Sequence, residues 1–289
     1  MSPIQIIFPI LFVILGPFVG GLMDGIDRKL SARLQGRIGP SILQPFYDVR
    51  KLMNKQVIGV NRAQYALLLS YLLLMIVTGL LFFSGSDILM SVFVLSTASI
   101  FLYFAVVETG SPYNTIASNR ELVQIMAYEP AVILMCVGFY LVAGSFNVPD
   151  IMQSETIMIT RMPGFFIAFL FALAVKLRKS PFDVSTGHHA HQELVQGIKT
   201  EMGARNLAIF QIAEWYESAL LMGMVALFIV DRRPLSFFFG ALLVLAVYLF
   251  MILLDNTAAR IKYTKMLKIV WIATILFSGL NLLVLMLMR

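Results

Sequence analysis

The three histidines of the chain, His188, His189 and His191, share one polar stretch with Asp183, Glu193 and Glu201. A basic cluster (Lys176, Arg178 and Lys179) precedes this stretch, and an apolar segment carrying Glu214 and Glu217 follows it. Imidazole titrates near neutral pH, and a carboxylate inside a bilayer is costly unless paired, protonated or hydrated. Together these residues point to proton handling where the chain enters a membrane. The histidines admit three readings: a solvated loop facing a partner, a proton relay, or a metal site. In a local helix His188 and His191 stand at i, i+3, and His189 meets Glu193 at i, i+4. The metal reading is the weakest, because His-His-x-His brings no assured further ligand.

Gln211, Glu214 and either Glu217 or Ser218 fall on one helical stripe. Two acids one turn apart in a low dielectric do not both ionise cheaply, so one is expected to share or relay a proton. The alternative is that this segment enters the membrane late and leaves both acids near the headgroups. Glu129 lies inside another apolar helix, followed by Pro130. Proline there removes one backbone hydrogen bond and frees a carbonyl at membrane depth. Glu121 completes Ser118-x-x-Glu121, the pattern of a capping box at a helix start.

The elements that must position these groups are membrane helices. The 289 residues are 59% hydrophobic and 13% charged, with a mean hydropathy of +0.85. Soluble domains are roughly 45–50% apolar and about 25% charged, so the expected fold class is an all-α integral membrane protein. With about 20 apolar residues needed per crossing, eight spans are expected: 4–22, 65–84, 87–107, 121–143, 160–177, 206–230, 235–254 and 269–288. They form a single polytopic domain over residues 1–289, with no internal repeat or soluble domain. The fifth span is short, and Arg161 and Lys176 at its ends are expected to snorkel.

Loops 23–64, 108–120, 178–205 and 255–268 then share one side. Counting Lys176 with the loop after it, that side holds every Lys and Arg except Arg161, Arg232, Arg233 and Arg289. The positive-inside bias places these loops in the cytoplasm and both termini on the outer side of the cell membrane. The N-terminal apolar run has no basic n-region or small-residue cleavage site and reads as a first transmembrane helix. Cys136 is the single cysteine. An iron–sulfur cluster usually takes four thiolates, so any redox centre is expected on other subunits.

The first cytoplasmic loop is broken by Gly36, Gly39 and Pro40, and an amphipathic piece follows Gln44-Pro45. Phe46, Val49, Leu52 and Met53 form one face, with Arg50, Lys51 and Lys55 opposite. Such a piece suits a membrane surface or the underside of a partner.

This loop resembles the first cytosolic loop of the membrane subunit that joins the hydrophilic and membrane arms in complex I and in energy-converting nickel–iron hydrogenases. Arg37, Gly39-Pro40, Leu43-Gln44-Pro45, Asp48 and Lys51-Leu52 stand in the family's places. Arg120-Glu121 with Tyr128-Glu129 is similar to its fourth helix. The strongest resemblance is Pro181-Phe182-Asp183, then Glu193-Leu194 with Gly197, Glu201, and Ala213-Glu214.

One departure redirects the reading. Quinone-reducing members carry an acidic PEAE-type run after PFD; here Ser185 to Gln192 read STGHHAHQ. That version is similar to the Ech-type, ferredoxin-linked hydrogenases. The resemblance implies a membrane anchor and ion-path subunit with no cofactor of its own. Asp183, Glu193 and Glu201 would take up charge at the arm junction, and Glu129, Glu214 and Glu217 would continue the path. Arg37, Gln44, Asp48, Lys51, Arg120 and Glu121 would face partners, while Asp255, Arg260 and Lys262 would shape the same vestibule.

Implied partners are the hydrogenase large and small subunits, an iron–sulfur ferredoxin-like subunit and an antiporter-like membrane subunit. They would carry the nickel–iron centre and the iron–sulfur clusters; nucleic acid is not among the partners. The rival readings are the matching subunit of a quinone-reducing complex, a free-standing cation or proton transporter, and an anchor with no proton path.

Overall fold

A computed structural model describes residues 3–56, 61–154, 156–182 and 197–288. Among these, regular structure is helical apart from one isolated bridge between Asp87 and Asn147. We number the main helices α1 (Pro3–Leu34), α2 (Gln44–Met53), α3 (Arg62–Phe83), α4 (Ile88–Val107) and α5 (Pro112–Ala143). The series continues with α6 (Pro163–Lys176), α7 (Ala204–Ala226), α8 (Pro234–Thr257) and α9 (Tyr263–Leu287). Residues Thr274–Gly279 of α9 form a π-helical stretch.

Six helices, α1, α3, α4, α5, α8 and α9, are long and apolar enough to cross a membrane. The other two expected spans are also helices. α6 has only 14 residues, and the carboxylates and amides of α7 lower the hydropathy of its 23. Helices suit this setting because each closes its own backbone hydrogen bonds where no water can.

Two helix ends differ most from expectation. α1 runs on to Leu34, past the expected limit at 22, because its first charges support the helix: Arg28 reaches back to Asp24 at 2.9 Å, an i, i+4 pair. Asp24, Asp27 and Arg28 therefore sit on a long helix and not in a loop. α5 starts at Pro112 behind the N-cap Ser111, with proline in the first turn where its missing N–H costs least. Ser118 is thus two turns inside, its hydroxyl donates to the Thr115 carbonyl, and the capping-box reading of Glu121 does not hold.

α7 is the hub, packed against α1, α2, α3 and α8, while α5 packs against α4, α6 and α9. Small residues let the backbones meet. A Cβ at Gly20 of α1 would stand 2.2 Å from the Trp215 carbonyl oxygen of α7, and one at Gly21 would stand 2.6 Å from the Phe46 ring of α2.

Prolines create a second kind of tie. Pro130 has no N–H for the Met126 carbonyl, and the indole Nε1 of Trp271 on α9 donates to that oxygen at 3.1 Å. Pro17 leaves the Val13 carbonyl free in the same way, and the Tyr216 hydroxyl of α7 donates to it at 2.6 Å. The carbonyl freed by Pro130 is thus taken up by a neighbouring helix.

Candidate functional site: a charge-lined cavity

α6 ends at Lys176, and the next residues turn sharply. Arg178 adopts a left-handed backbone (φ +51°), a conformation uncommon for a residue with a Cβ. The turn places Lys176, Arg178 and Lys179 along one wall of a cavity of about 580 Å³. α1 contributes Asp24, Asp27 and Arg28; α7 contributes Gln211, Glu214, Trp215 and Glu217; Asp255 comes from α8 and Lys199 from the short turn before α7. The lining thus carries five carboxylates (Asp24, Asp27, Glu214, Glu217, Asp255) and five cations (Arg28, Lys176, Arg178, Lys179, Lys199).

The charges are matched locally. Glu217 accepts from Lys176 at 2.5 Å and from the Tyr71 hydroxyl at 3.3 Å. Lys176 also donates to Ser99 Oγ at 2.9 Å, and its ammonium lies 4.7 Å from the centre of the Tyr128 ring. Both side chains of this pair are nearly enclosed, 6% exposed for Lys176 and 7% for Glu217. Glu214, at 23% exposed, is held by Arg178 and by Lys199 at 3.2 Å. Arg178 reaches on to Glu121 of α5 at 3.0 Å, so one guanidinium joins α5 to α7. Lys179 pairs with Asp27 and, at 3.1 Å, with Asp255, whose other oxygen accepts from the Ser180 amide at 3.0 Å. Burial works to lower the Lys179 pKa, but Asp27 and Asp255 overcome it and hold the ammonium above the ordinary lysine value.

This geometry corrects several expectations. Lys176 does not snorkel: its ammonium is buried against a carboxylate. Glu214 and Glu217 both face the cavity, but each has its own cation, so the premise of two uncompensated acids sharing one proton does not hold. Glu121, expected at a partner face, is buried and paired with Arg178. Asp48, expected to face partners with Gln44, turns inward to Arg28 at 2.8 Å and accepts from Gln44 at 3.0 Å. Arg260 and Lys262 are not among the cavity-lining residues, although Asp255 is.

Glu129 is half-buried on α5 and lies outside the cavity, as does Arg120. Glu201 is exposed, as are Arg37 and Lys51. Asp183, Glu193, His188, His189 and His191 lie outside the described residues. Among the described residues, no three of His, Cys, Asp and Glu stand where they could hold a metal ion.

Sequence reasoning missed Asp24 and Asp27. Their signal is an acid–x–x–acid–Arg run directly after the apolar stretch of α1, which reads equally well as the end of a span. Lys176 is legible as a basic residue but not as a buried partner of Glu217, because nothing local links residues 41 positions apart.

A family model described as NADH dehydrogenase matches residues 6–286. The chain is 26% identical to hydrogenase-4 component C of Escherichia coli, over 87% of each chain. It is 28% identical to a subunit of the NADH-quinone oxidoreductase of Rhodospirillum rubrum, over 93% of this chain and 89% of that one. Among solved structures it is similar to a chain of the membrane-bound sulfane sulfur reductase, an archaeal respiratory membrane complex. The TM-score is 0.86 at 21% identity, covering 97% of this chain and 99% of the other, a likeness of fold.

Proposed function

The chain belongs to the NADH dehydrogenase family, and from that premise we propose that it is the membrane anchor and ion-path subunit of a ferredoxin-linked, energy-converting hydrogenase. The soluble arm, with nickel–iron and iron–sulfur subunits, would dock on the basic cytoplasmic loops, and both termini would face outward. The antiporter-like membrane subunit would receive the ion path. Electron transfer on the partners would be coupled to ion movement through this chain.

The observation that carries this reading is the cavity with five carboxylates and five cations at the end of α6. Ion pairs that share one cavity can exchange partners in small steps, because Arg28, Arg178 and Lys179 each hold two carboxylates and Glu214 meets two cations. Glu214, bridged by Arg178 and Lys199 and open to the cavity, is the group best placed to accept and release charge. Glu217 and Lys176 are the enclosed continuation. Asp183, Glu193, Glu201 and the histidines would feed the cavity from the partner side, and Glu129 would lie farther along the path.

The quinone-reducing alternative has a relative in its favour. What places it second is the run STGHHAHQ at Ser185 to Gln192, where quinone-reducing members carry an acidic PEAE-type run.

The test is ferredoxin-driven hydrogen evolution with ion uptake, in membrane vesicles carrying wild type or Glu214→Gln. The expected result is normal assembly with ion uptake per hydrogen reduced about tenfold or more. Unchanged hydrogen output with unchanged uptake would remove Glu214 from the path and leave the anchor reading. Hydrogen output that responds to added quinone or to a quinone-site inhibitor would favour the quinone-reducing form.

A further inference from the structure

Arg28 on α1 holds two carboxylates that do not touch each other. Its Nε and one Nη grip Asp24 in the cavity wall, each at 2.9 Å, and the other Nη donates to Asp48 on α2 at 2.8 Å. Gln44 steadies Asp48 from its own helix at 3.0 Å, and Gln211 of α7 reaches Asp24 at 3.4 Å.

α2 is seated tightly as well. Phe46 fills the notch at Gly21 and lies 5.1 Å, ring centre to ring centre, from Trp215, while a Cβ at Gly25 would stand 1.8 Å from the Ile42 carbonyl oxygen. The side of α2 away from this seat exposes Tyr47, Arg50 and Lys51. A planar guanidinium satisfies both acids only while α1 and α2 keep their present register.

We propose that Asp48 acts inward as a positioning residue: through Arg28 it sets the strength of the Arg28–Asp24 pair, so that the charge of a cavity carboxylate depends on how the surface helix α2 is seated. Removing Asp48 leaves the whole guanidinium to Asp24 and takes one negative charge away from Arg28. Asp24 is then bound more tightly and exchanges more slowly with its neighbours in the cavity. A partner lying on the exposed side of α2 would reach the cavity through this link. The inference rests on the reading of the cavity as an ion path, and assigns Asp24 to that path.

The test compares Asp48→Asn, Asp24→Asn and the double variant in the assembled complex. Recovery of the soluble subunits with this chain reads docking; ion uptake per electron reads the cavity. The expected result is unchanged recovery, uptake lowered about fivefold by each single change, and a double variant no worse than Asp24→Asn alone. Arg28→Lys keeps the charge but loses the fork that joins the two acids, so adding Asp48→Asn to it should lower uptake no further, and Asp48→Glu in the wild-type background should restore uptake. Independent, multiplying losses overturn the proposal, as does loss of the soluble subunits in Asp48→Asn with uptake per electron intact in what remains. A further loss of uptake when Asp48→Asn is added to Arg28→Lys overturns it too.

A second readout separates this inference from the function it rests on. If wild-type vesicles move no ions, the ion-path reading falls. The infrared carboxylate band of Asp24, assigned by its loss in Asp24→Asn, still shifts in Asp48→Asn if the link is real and stays in place if it is not.

Discussion

The helix seams and the cavity wall satisfy polar groups by opposite means. In the seams the groups are neutral backbone carbonyls freed by proline. Each receives one hydrogen bond from an aromatic donor across the interface, Trp271 to Met126 and Tyr216 to Val13. In the wall the groups are charged, and each carboxylate meets at least one cation. A neutral bond lost from a seam leaves one unsatisfied oxygen. A charge lost from the wall leaves its partner stranded in a low dielectric, which is far more costly. The seams can therefore hold the frame still, while the wall holds groups whose charge can be moved.

The sharpest way to break this contrast is at Lys176. Lys176→Met would strand Glu217 in an enclosed site and is expected to destabilise the protein by about 3–5 kcal/mol. The double variant Lys176→Met with Glu217→Gln removes both charges and should recover most of that loss. Thermal unfolding of the purified complex in detergent measures both. If the single and double variants melt alike, the pair is not the compensated unit that the 2.5 Å contact describes.

Much of the frame is legible in the chain, and the reason is physical. Apolar runs long enough to span a bilayer mark helices whatever surrounds them, so each of the eight expected spans coincides with a helix. Pro130 also announces its freed carbonyl, since that follows from covalent structure alone. The donor, Trp271, is not legible, because it comes from a helix far along the chain. The same limit hides the wall. Glu214 and Glu217 stand out as acids in an apolar segment, but their cations are set by the turn at Arg178 and by the length of α1. That length escapes a reading in which polarity ends a helix, whereas Asp24 and Arg28 extend this one.

Smaller effects test the seams. Trp271→Phe and Tyr216→Phe each keep a ring and remove one donor, leaving the carbonyl of Met126 or Val13 unsatisfied. Hydrogen bonds between membrane helices are worth about 0.6 kcal/mol on average, with a maximum near 1.7. Each change should therefore lower stability by roughly 1 kcal/mol and leave ion uptake per electron at the wild-type value. A large loss of coupling in Tyr216→Phe, with stability preserved, would mean that the seam between α1 and α7 carries more than structure.

The smallest expected effect concerns pH at Lys179. Asp27 and Asp255 hold its ammonium above the ordinary lysine value against the opposing pull of burial. A raised pKa of this kind contributes stability that is fully present below the unfolded lysine value. It is lost only as pH rises through the folded one. The ordinary value is near 10.4, so the difference in melting temperature between wild type and Lys179→Met should be constant from about pH 6 to 9. Melting curves across that range check it. A difference that shrinks within the range would mean that the ammonium releases its proton there, and Lys179 would then be a mobile charge of the wall and not a fixed one.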